Sequence, residues 1–293
     1  MTKGSDLILI TGATGKQGGA VAHELLAAGH RVRAMTRHPD GPRAQELASL
    51  GAEVVRGDLD DPASLPRALD GAWGTYAVQN TWEAGVEREE VQGKRFAEAA
   101  REAGVQHYVY GSVASAHRHT GIPHFDNKAR VEQRVRELGF PSWVVIRPVF
   151  FMENLLSPDN LRAIDQGTLP MGIKPTTPLQ MIAVGDIGKY GKLAFEQPER
   201  LNGRSIDIAG DERTMPQVAE ILTRIVRHPV AHAQVPIDQI RKFSEDLALM
   251  LEWFDAVGYD ADIAGNAKEF GIQPTSFADW AREHFRQSVR AAS

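Results

Sequence analysis

Residues 11–19 read TGATGKQGG, with glycine at every third position, Gly12, Gly15 and Gly18. The chemistry this pattern suits is capture of an anion. An apolar run, Leu7 to Ile10, leads into the segment and a helical pattern leads out of it. Gly12 then permits a tight turn, Gly15 lets backbone approach a diphosphate, and Gly18 lets helix and strand pack closely, while N–H groups at the helix start receive the charge. The spacing is G-x-x-G-x-x-G, not G-x-G-x-x-G, and an ordinary glycine turn between strand and helix is the bland alternative. Lys16 adds a cation that either meets a phosphate or faces solvent.

A dinucleotide site that takes NAD places an acid at the end of the second strand, about 20 residues after the loop, to bond the ribose 2'-hydroxyl. This chain has Thr36, Arg37 and His38 there. A planar guanidinium pairs with a 2'-phosphate and stacks on adenine, so NADP(H) is the preferred cofactor, with NAD(H) admissible. Arg37 merely facing solvent is the alternative. Asp58 and Leu59, in the segment GDLDD, are expected to flank the adenine, and Asp60 or Asp61 reads as a helix N-cap.

These residues need a scaffold, and the chain between Leu7 and Pro148 supplies one. Six β-rich runs (LILITGA, RVRAMTR, AEVVRGD, GTYAVQN, HYVYGSV, SWVVIRP) alternate with helical patterns at Gln17 to Ala28, Pro42 to Leu50, Pro62 to Leu69, Glu87 to Ala103 and Asn127 to Leu138. That alternation predicts an α/β fold with a Rossmann-type doubly wound parallel sheet, and the near-continuous apolar character of the runs fits strands covered on both faces. After Pro148 the regularity breaks. Residues 1–150 read as the dinucleotide-binding domain, with 180–210 returning to it through MIAVGDIG, a helix to Phe195 and RSIDIAG. Residues 151–179 and 211–293 read as a smaller, discontinuous C-terminal lobe for a substrate or partner. In it Gly167 to Pro178 has loop composition, and Met215 to Arg227, Ile237 to Val257 and Ser276 to Phe285 are helical in pattern.

With 33 basic and 38 acidic side chains among 293 residues, the chain as a whole is not drawn to nucleic acid or anionic lipid. The absence of cysteine removes disulfides, thiolate zinc sites and cysteine nucleophiles together. No apolar run approaches the roughly 20 residues that span a bilayer, so a cytoplasmic protein is expected. His107, His117 and His119 do not read as a metal site, because Arg118 places a cation between two of them and no carboxylate accompanies them.

TGATGKQGG also resembles the GATGxQGG loop of the NmrA-like branch of the atypical short-chain dehydrogenases, TRHPD its second-strand end and GAEVVRGDLDD its third strand. HFDNKARVE, PVFFMENLLS and DLALMLEWFDAVGYD follow in the family's order, so the likeness runs nearly end to end. The loop is shared by many reductases, whereas HFDxK together with ENLLS is more particular to the branch. The resemblance implies NADP(H) binding, with Thr14, Gln17 and Gly18 along the pyrophosphate and Gln79 and Asn80 near the nicotinamide ribose. It further implies Lys128 on the ribose hydroxyls and Phe151 and Asn154 at the nicotinamide end. Residue type alone leaves Phe151 open as core and Asn80 as a strand-ending turn residue.

In conventional members of that superfamily a serine, a tyrosine and a lysine act together, the tyrosine four residues before a lysine whose charge lowers its pKa. Here the lysine is Lys128, Ser112 stands after the fifth run, and His124 replaces the tyrosine. Histidine can donate a proton near neutral pH, so a catalytic set of Lys128, His124 and Ser112 is expected beside its alternative, a helix-start histidine with no acid–base role. A lobe rich in Phe and Met (Phe150, Phe151, Met152, Met171, Met181) favours an NADPH-dependent oxidoreductase of a small apolar carbonyl or quinone-like substrate. The missing tyrosine and the family's regulatory members keep open a non-catalytic NADP(H) redox sensor acting on a protein partner. A tailoring enzyme for an aromatic polyketide-like substrate also stays open, on fold alone. The partners expected are a substrate, a regulated protein or a second copy of the chain, not nucleic acid or membrane.

Overall fold

The computed structural model describes residues 6–291. Its first stretch alternates strand and helix: β1 (Leu7–Ile10), α1 (Lys16–Ala27), β2 (Arg31–Thr36), α2 (Pro42–Ser49), β3 (Glu53–Arg56), α3 (Leu65–Leu69) and β4 (Ala72–Ala77). Then come α4 (Thr81–Ala84), α5 (Val86–Glu102), β5 (His107–Gly111), α6 (Pro123–Glu137) and β6 (Ser142–Pro148). The remainder runs β7 (Phe150–Phe151), α7 (Pro158–Asp165), β8 (Thr168–Met171), β9 (Leu179–Ile182), α8 (Val184–Glu196), α9 (Pro198–Leu201) and β10 (Arg204–Ile208). It closes with β11 (Asp211–Arg213), α10 (Met215–Val226), β12 (Ala231–Gln234), α11 (Ile237–Phe243), α12 (Glu245–Ala256), α13 (Ile263–Phe270) and α14 (Phe277–Ala291).

Two compact units result. Of the described residues, one comprises 6–118, Pro123–Arg147 and Ile187–Ile206, the other His119–Ile122, Pro148–Asp186 and 207–291. The first is built on a seven-stranded sheet of order β10-β6-β5-β4-β1-β2-β3, in which β1 through β6 pair parallel. This is the doubly wound Rossmann-type arrangement, and its strand order reverses between β1 and β4. β1 is buried along its whole length because both sheet faces are covered, as its unbroken LILI run requires. Leu9, Leu65, Leu69, Phe96, Tyr108 and Phe140 belong to one core cluster, with the Tyr108 and Phe140 rings stacked at 4.6 Å. The second unit carries a three-stranded sheet, β11-β9-β7, and a parallel pair, β12-β8. Within it Glu153 accepts from the Trp280 indole at 2.9 Å, and Asp186 accepts from the Thr275 amide at 2.7 Å.

Several boundaries differ from the sequence reading for identifiable reasons. α6 begins at Pro123, one turn before Asn127, since proline suits a first turn. The pattern from Ile237 to Val257 is two helices, parted at Ser244, whose hydroxyl accepts from the Leu247 amide and starts α12. The residues MIAV do not return to the large sheet: β9 pairs with β7 and β11, and RSIDI, as β10, supplies the seventh strand. The presumed loop from Gly167 to Pro178 contains β8, and α13 was not anticipated.

His107 is a core residue of β5. Its Nε2 lies 3.0 Å from the Ala194 carbonyl and its Nδ1 2.8 Å from the Ser142 hydroxyl. A carbonyl only accepts, so Nε2 carries a proton. Burial pushes this imidazole down from 6.5 to about 4. On acidification the unfolded imidazole takes its proton first, so stability present above 6.5 is lost as the pH falls towards 4. This group should therefore remove about 2 kcal/mol of folding stability between pH 7 and pH 5. Urea unfolding of the wild type and His107→Gln at both pH values checks this: the variant should lose that part of the pH dependence, and an identical dependence contradicts the assignment.

Candidate functional site

The glycine loop lies at the reversal point of the sheet. Thr11 pins its start, since the Thr11 hydroxyl donates to the Val78 carbonyl and accepts from the Val78 amide, both at 2.9 Å. Those bonds carry the β1–β4 pairing one step beyond the strands. Gly12 turns the chain with φ +58°, a value that disfavours any other residue, and a Cβ there would press on Val78 at 3.0 Å. A Cβ on Gly18 would lie 2.7 Å from the Thr11 carbonyl oxygen and closer still to that of Gly12. α1 thus meets the end of β1 backbone to backbone. Gly15 is the N-cap, no side chain caps the helix, and no acid stands in its first turn. The N–H groups of Lys16, Gln17 and Gly18 are therefore first-turn amides carrying the positive end of the helix dipole, with Lys16 exposed beside them. The Gln17 side chain turns inward, its Nε2 donating to the buried Tyr76 hydroxyl at 2.6 Å. Thr14 is half-buried, and its carbonyl accepts from Arg43 at 2.9 Å.

Arg37 is the first residue after β2, and its half-exposed guanidinium is ion-paired with Glu83 of α4. Asp58 and Leu59 follow β3. The Asp58 carboxylate accepts from the Asp60 amide at 3.0 Å, Leu59 packs against the core cluster, and its carbonyl accepts from Arg95 at 3.2 Å. Asp60 is held to α5 by Arg88 at 2.6 Å and by Gln92 at 2.9 Å. Asp61 caps the short 3-10 turn at Pro62–Ser64.

The opposite end of the sheet edge is polar and buried. Gln79 follows β4, is 6% exposed, and has no hydrogen-bond partner on either amide atom among the described residues. A buried amide left without partners is costly, and a bound ligand or water offers the missing bonds. Asn80 is exposed, and its side-chain oxygen accepts from the Trp82 amide at 3.2 Å, capping α4. That bond leaves the side-chain NH2 of Asn80 uncommitted to the cap. Lys128 Nζ donates to Glu89 at 2.6 Å. The same carboxylate receives the Asn127 amide at 2.9 Å and the Thr81 hydroxyl. Burial alone would raise the Glu89 carboxyl, but the Lys128 charge and these hydrogen bonds outweigh it and hold it below the ordinary range.

Ser112 donates to Glu132 at 2.6 Å, and Glu132 is clamped by Arg147 at 2.6 Å and Arg136 at 2.8 Å. His124 is buried between rings, 5.4 Å from Trp82 and 4.8 Å from Phe125. The expected serine, histidine and lysine thus sit on neighbouring elements, but two of the three have their polar groups engaged by glutamates. Tyr108 and Tyr110 are wholly buried, and burial pushes both phenols far up. His117 pairs with Arg147 at 2.9 Å, and among the described residues no group of three or more His, Asp or Glu is placed to hold a metal ion. In the second unit, Phe151 is half-buried in β7, opposite Ile182, and the Asn154 carbonyl accepts from Asn160 at 3.1 Å.

Sequence reasoning missed Glu83, Glu89 and Tyr76. Glu89 had a legible signal: with Gln92, Gly93, Phe96, Ala97 and Ala100 it lies on the buried face of α5, where a carboxylate demands a cation. Glu83 stands three residues after Asn80 and reads as nothing more than a capping-box acid.

A sheet of this order with a glycine loop at its reversal point defines the Rossmann-type class of nucleotide-binding folds. The chain belongs to the NmrA-like family, whose model matches residues 4–281. It is similar to the NmrA-like family domain-containing oxidoreductase lnaB of Aspergillus flavus, 32% identical over 243 residues that cover 74% of this chain and 72% of that one. Two solved structures share the fold. NmrA, a negative transcriptional regulator crystallised with NAD, is 22% identical with a TM-score of 0.81 over 99% of this chain and 98% of its own. The NADPH-dependent quinone oxidoreductase QOR2 of Escherichia coli, crystallised with NADPH, is 23% identical with a TM-score of 0.81 over 95% and 99%. No described helix is long and apolar enough to cross a membrane.

The close approach at Gly18 is open to a direct check. Gly18→Ala forces its methyl onto two backbone carbonyls that have no side chain to move, so it should cost about 1–3 kcal/mol of stability. It should also pry the first turn of α1 from its loop. Denaturant unfolding that leaves the midpoint unchanged would show that the two segments do not meet as described.

Proposed function

We propose that this chain is an NADP(H)-binding oxidoreductase that reduces a small apolar carbonyl or quinone-like acceptor. The observation that carries the reading is the bare first turn of α1, uncapped and free of acids, beside a glycine turn at the sheet's reversal point. In this reading the amides of Lys16, Gln17 and Gly18 hold the pyrophosphate, Arg37 the 2'-phosphate, and Asp58 with Leu59 the adenine. Gln79 supplies an amide with unmet hydrogen bonds to the ribose on the nicotinamide side, and Lys128 has N–H groups to spare beyond the one given to Glu89. A bound nicotinamide would supply the hydride. The chain then binds, orients and excludes water, and the proton that completes the reduced acceptor comes from His124 or from solvent. The names of lnaB and QOR2 support this direction.

A second reading has its own observation. Ser112 and Lys128 are committed to Glu132 and Glu89, an arrangement that stabilises the fold without any chemistry. A redox sensor that binds NADP(H) and alters its contacts with a protein partner needs only the nucleotide site and a different affinity for two states of the chain.

Arg37→Ala should weaken NADPH by about 1.5–3 kcal/mol, the value of a hydrogen bond to a charged group, and leave NADH nearly unchanged. Calorimetric titration with both coenzymes reads this, and equal losses contradict the 2'-phosphate assignment. NADPH oxidation across a panel of quinones and activated carbonyls should exceed the enzyme-free rate. Intact binding with no turnover would leave the sensor reading in its place.

A further inference from the structure

α4 is a four-residue helix fixed from below and open above. Asn80 caps it, the Thr81 hydroxyl donates to the buried Glu89, and Trp82 rests against His124. So anchored, it presents Glu83 to the guanidinium of Arg37, 46 residues earlier in the chain, with the two side chains 53% and 48% exposed. Solvent, and therefore a ligand, reaches both. Two further carboxylates, Asp58 and Asp60, lie close enough to act on Arg37 electrostatically. Asp60 is already matched by Arg88 and Gln92. Among the described residues, Glu83 alone takes a direct hydrogen bond from the residue that the proposed function assigns to the 2'-phosphate.

We propose that Glu83 is a specificity-determining residue, which competes with the adenosine 2'-phosphate for Arg37 and thereby lowers the preference for NADP(H) over NAD(H). This inference rests on the nucleotide site proposed above. A 2'-phosphate arriving at Arg37 must displace the Glu83 carboxylate or lie beside it, and both cost free energy through lost pairing or like-charge repulsion. A 2'-hydroxyl brings no charge and leaves the pair intact. Glu83 therefore penalises one coenzyme and not the other. Exposed ion pairs are individually weak, so the penalty is modest and the site remains open to both coenzymes.

The test is calorimetric titration of the full chain with NADPH, NADH and adenosine 2',5'-bisphosphate, comparing wild type, Glu83→Gln, Glu83→Ala, Arg37→Ala and the Arg37→Ala/Glu83→Gln double variant. Both single Glu83 variants should bind NADPH and the bisphosphate about three- to tenfold more tightly, and NADH within about twofold of wild type. The gain should fall to the small part due to like-charge repulsion, about twofold or less, when Arg37 is also replaced, because there is then no guanidinium to compete for. Unchanged NADPH affinity in the Glu83 variants, with wild type binding NADPH and Arg37→Ala weakening it, overturns the inference and spares the nucleotide site. Equal tightening of NADPH and NADH also overturns it. Failure of wild type to bind either coenzyme overturns both.

Discussion

Where α1 meets the end of β1, at Gly18, two backbones touch with no room for a side chain between them, and much of the first unit is arranged around that contact. It brings the first turn of α1 to the point where the strand order reverses, between β1 and β4, and there the bonds of Thr11 to Val78 continue the sheet into the loop. A larger residue would push the helix outward and carry its amides with it. Gly15, as an N-cap without a side chain, leaves first-turn N–H groups that no capping side chain satisfies, a deficit that an anion can fill.

Two buried carboxylates order the polar side of the same sheet edge. Glu89 ties α5 to α6 through Lys128 and Asn127, and Glu132 ties α6 to β6 through Arg147. For Glu132, as for Glu89, burial alone would raise the carboxyl, and it is the Arg147 hydrogen bonds and charge, with help from Ser112 and Arg136, that keep it ionised. Removing one partner from such a cluster would strand a charge away from water, so the partners are held as firmly as any core side chain. This is why Ser112 and Lys128, so suggestive by type and spacing, have structural work that does not depend on a reaction. In the proposed reading, hydride delivery to an easily reduced acceptor makes small demands on acid–base groups, and Lys128 contributes only the N–H groups it does not give to Glu89.

The parts of this molecule legible in the sequence are those governed by local pattern. The strands of the large sheet announce themselves as apolar runs because they are covered on both faces, and the glycine loop because its backbone geometry tolerates few other residues. Arg37 could be recognised by type and position, but not its partner, since Glu83 comes from a different βα unit and looks like a helix-capping acid. Ser244 could have divided the pattern from Ile237 to Val257 and did not, because the apolar spacing continues across it. The second unit was the least readable. Its strands are only two to four residues long, and β8 pairs with β12 some 60 positions later, Thr168 opposite Ala231, so no local period marks either one. Gln79 was named only through family likeness; its unmet hydrogen bonds emerge from the packing of β4, α5 and α6.

The most direct measurement is a crystal structure of the chain with NADP+. Pyrophosphate oxygens should lie about 3 Å from the amide nitrogens of Lys16, Gln17 and Gly18, the ordinary hydrogen-bond range. A dinucleotide bound elsewhere on the chain, with those amides facing only water, would contradict the account.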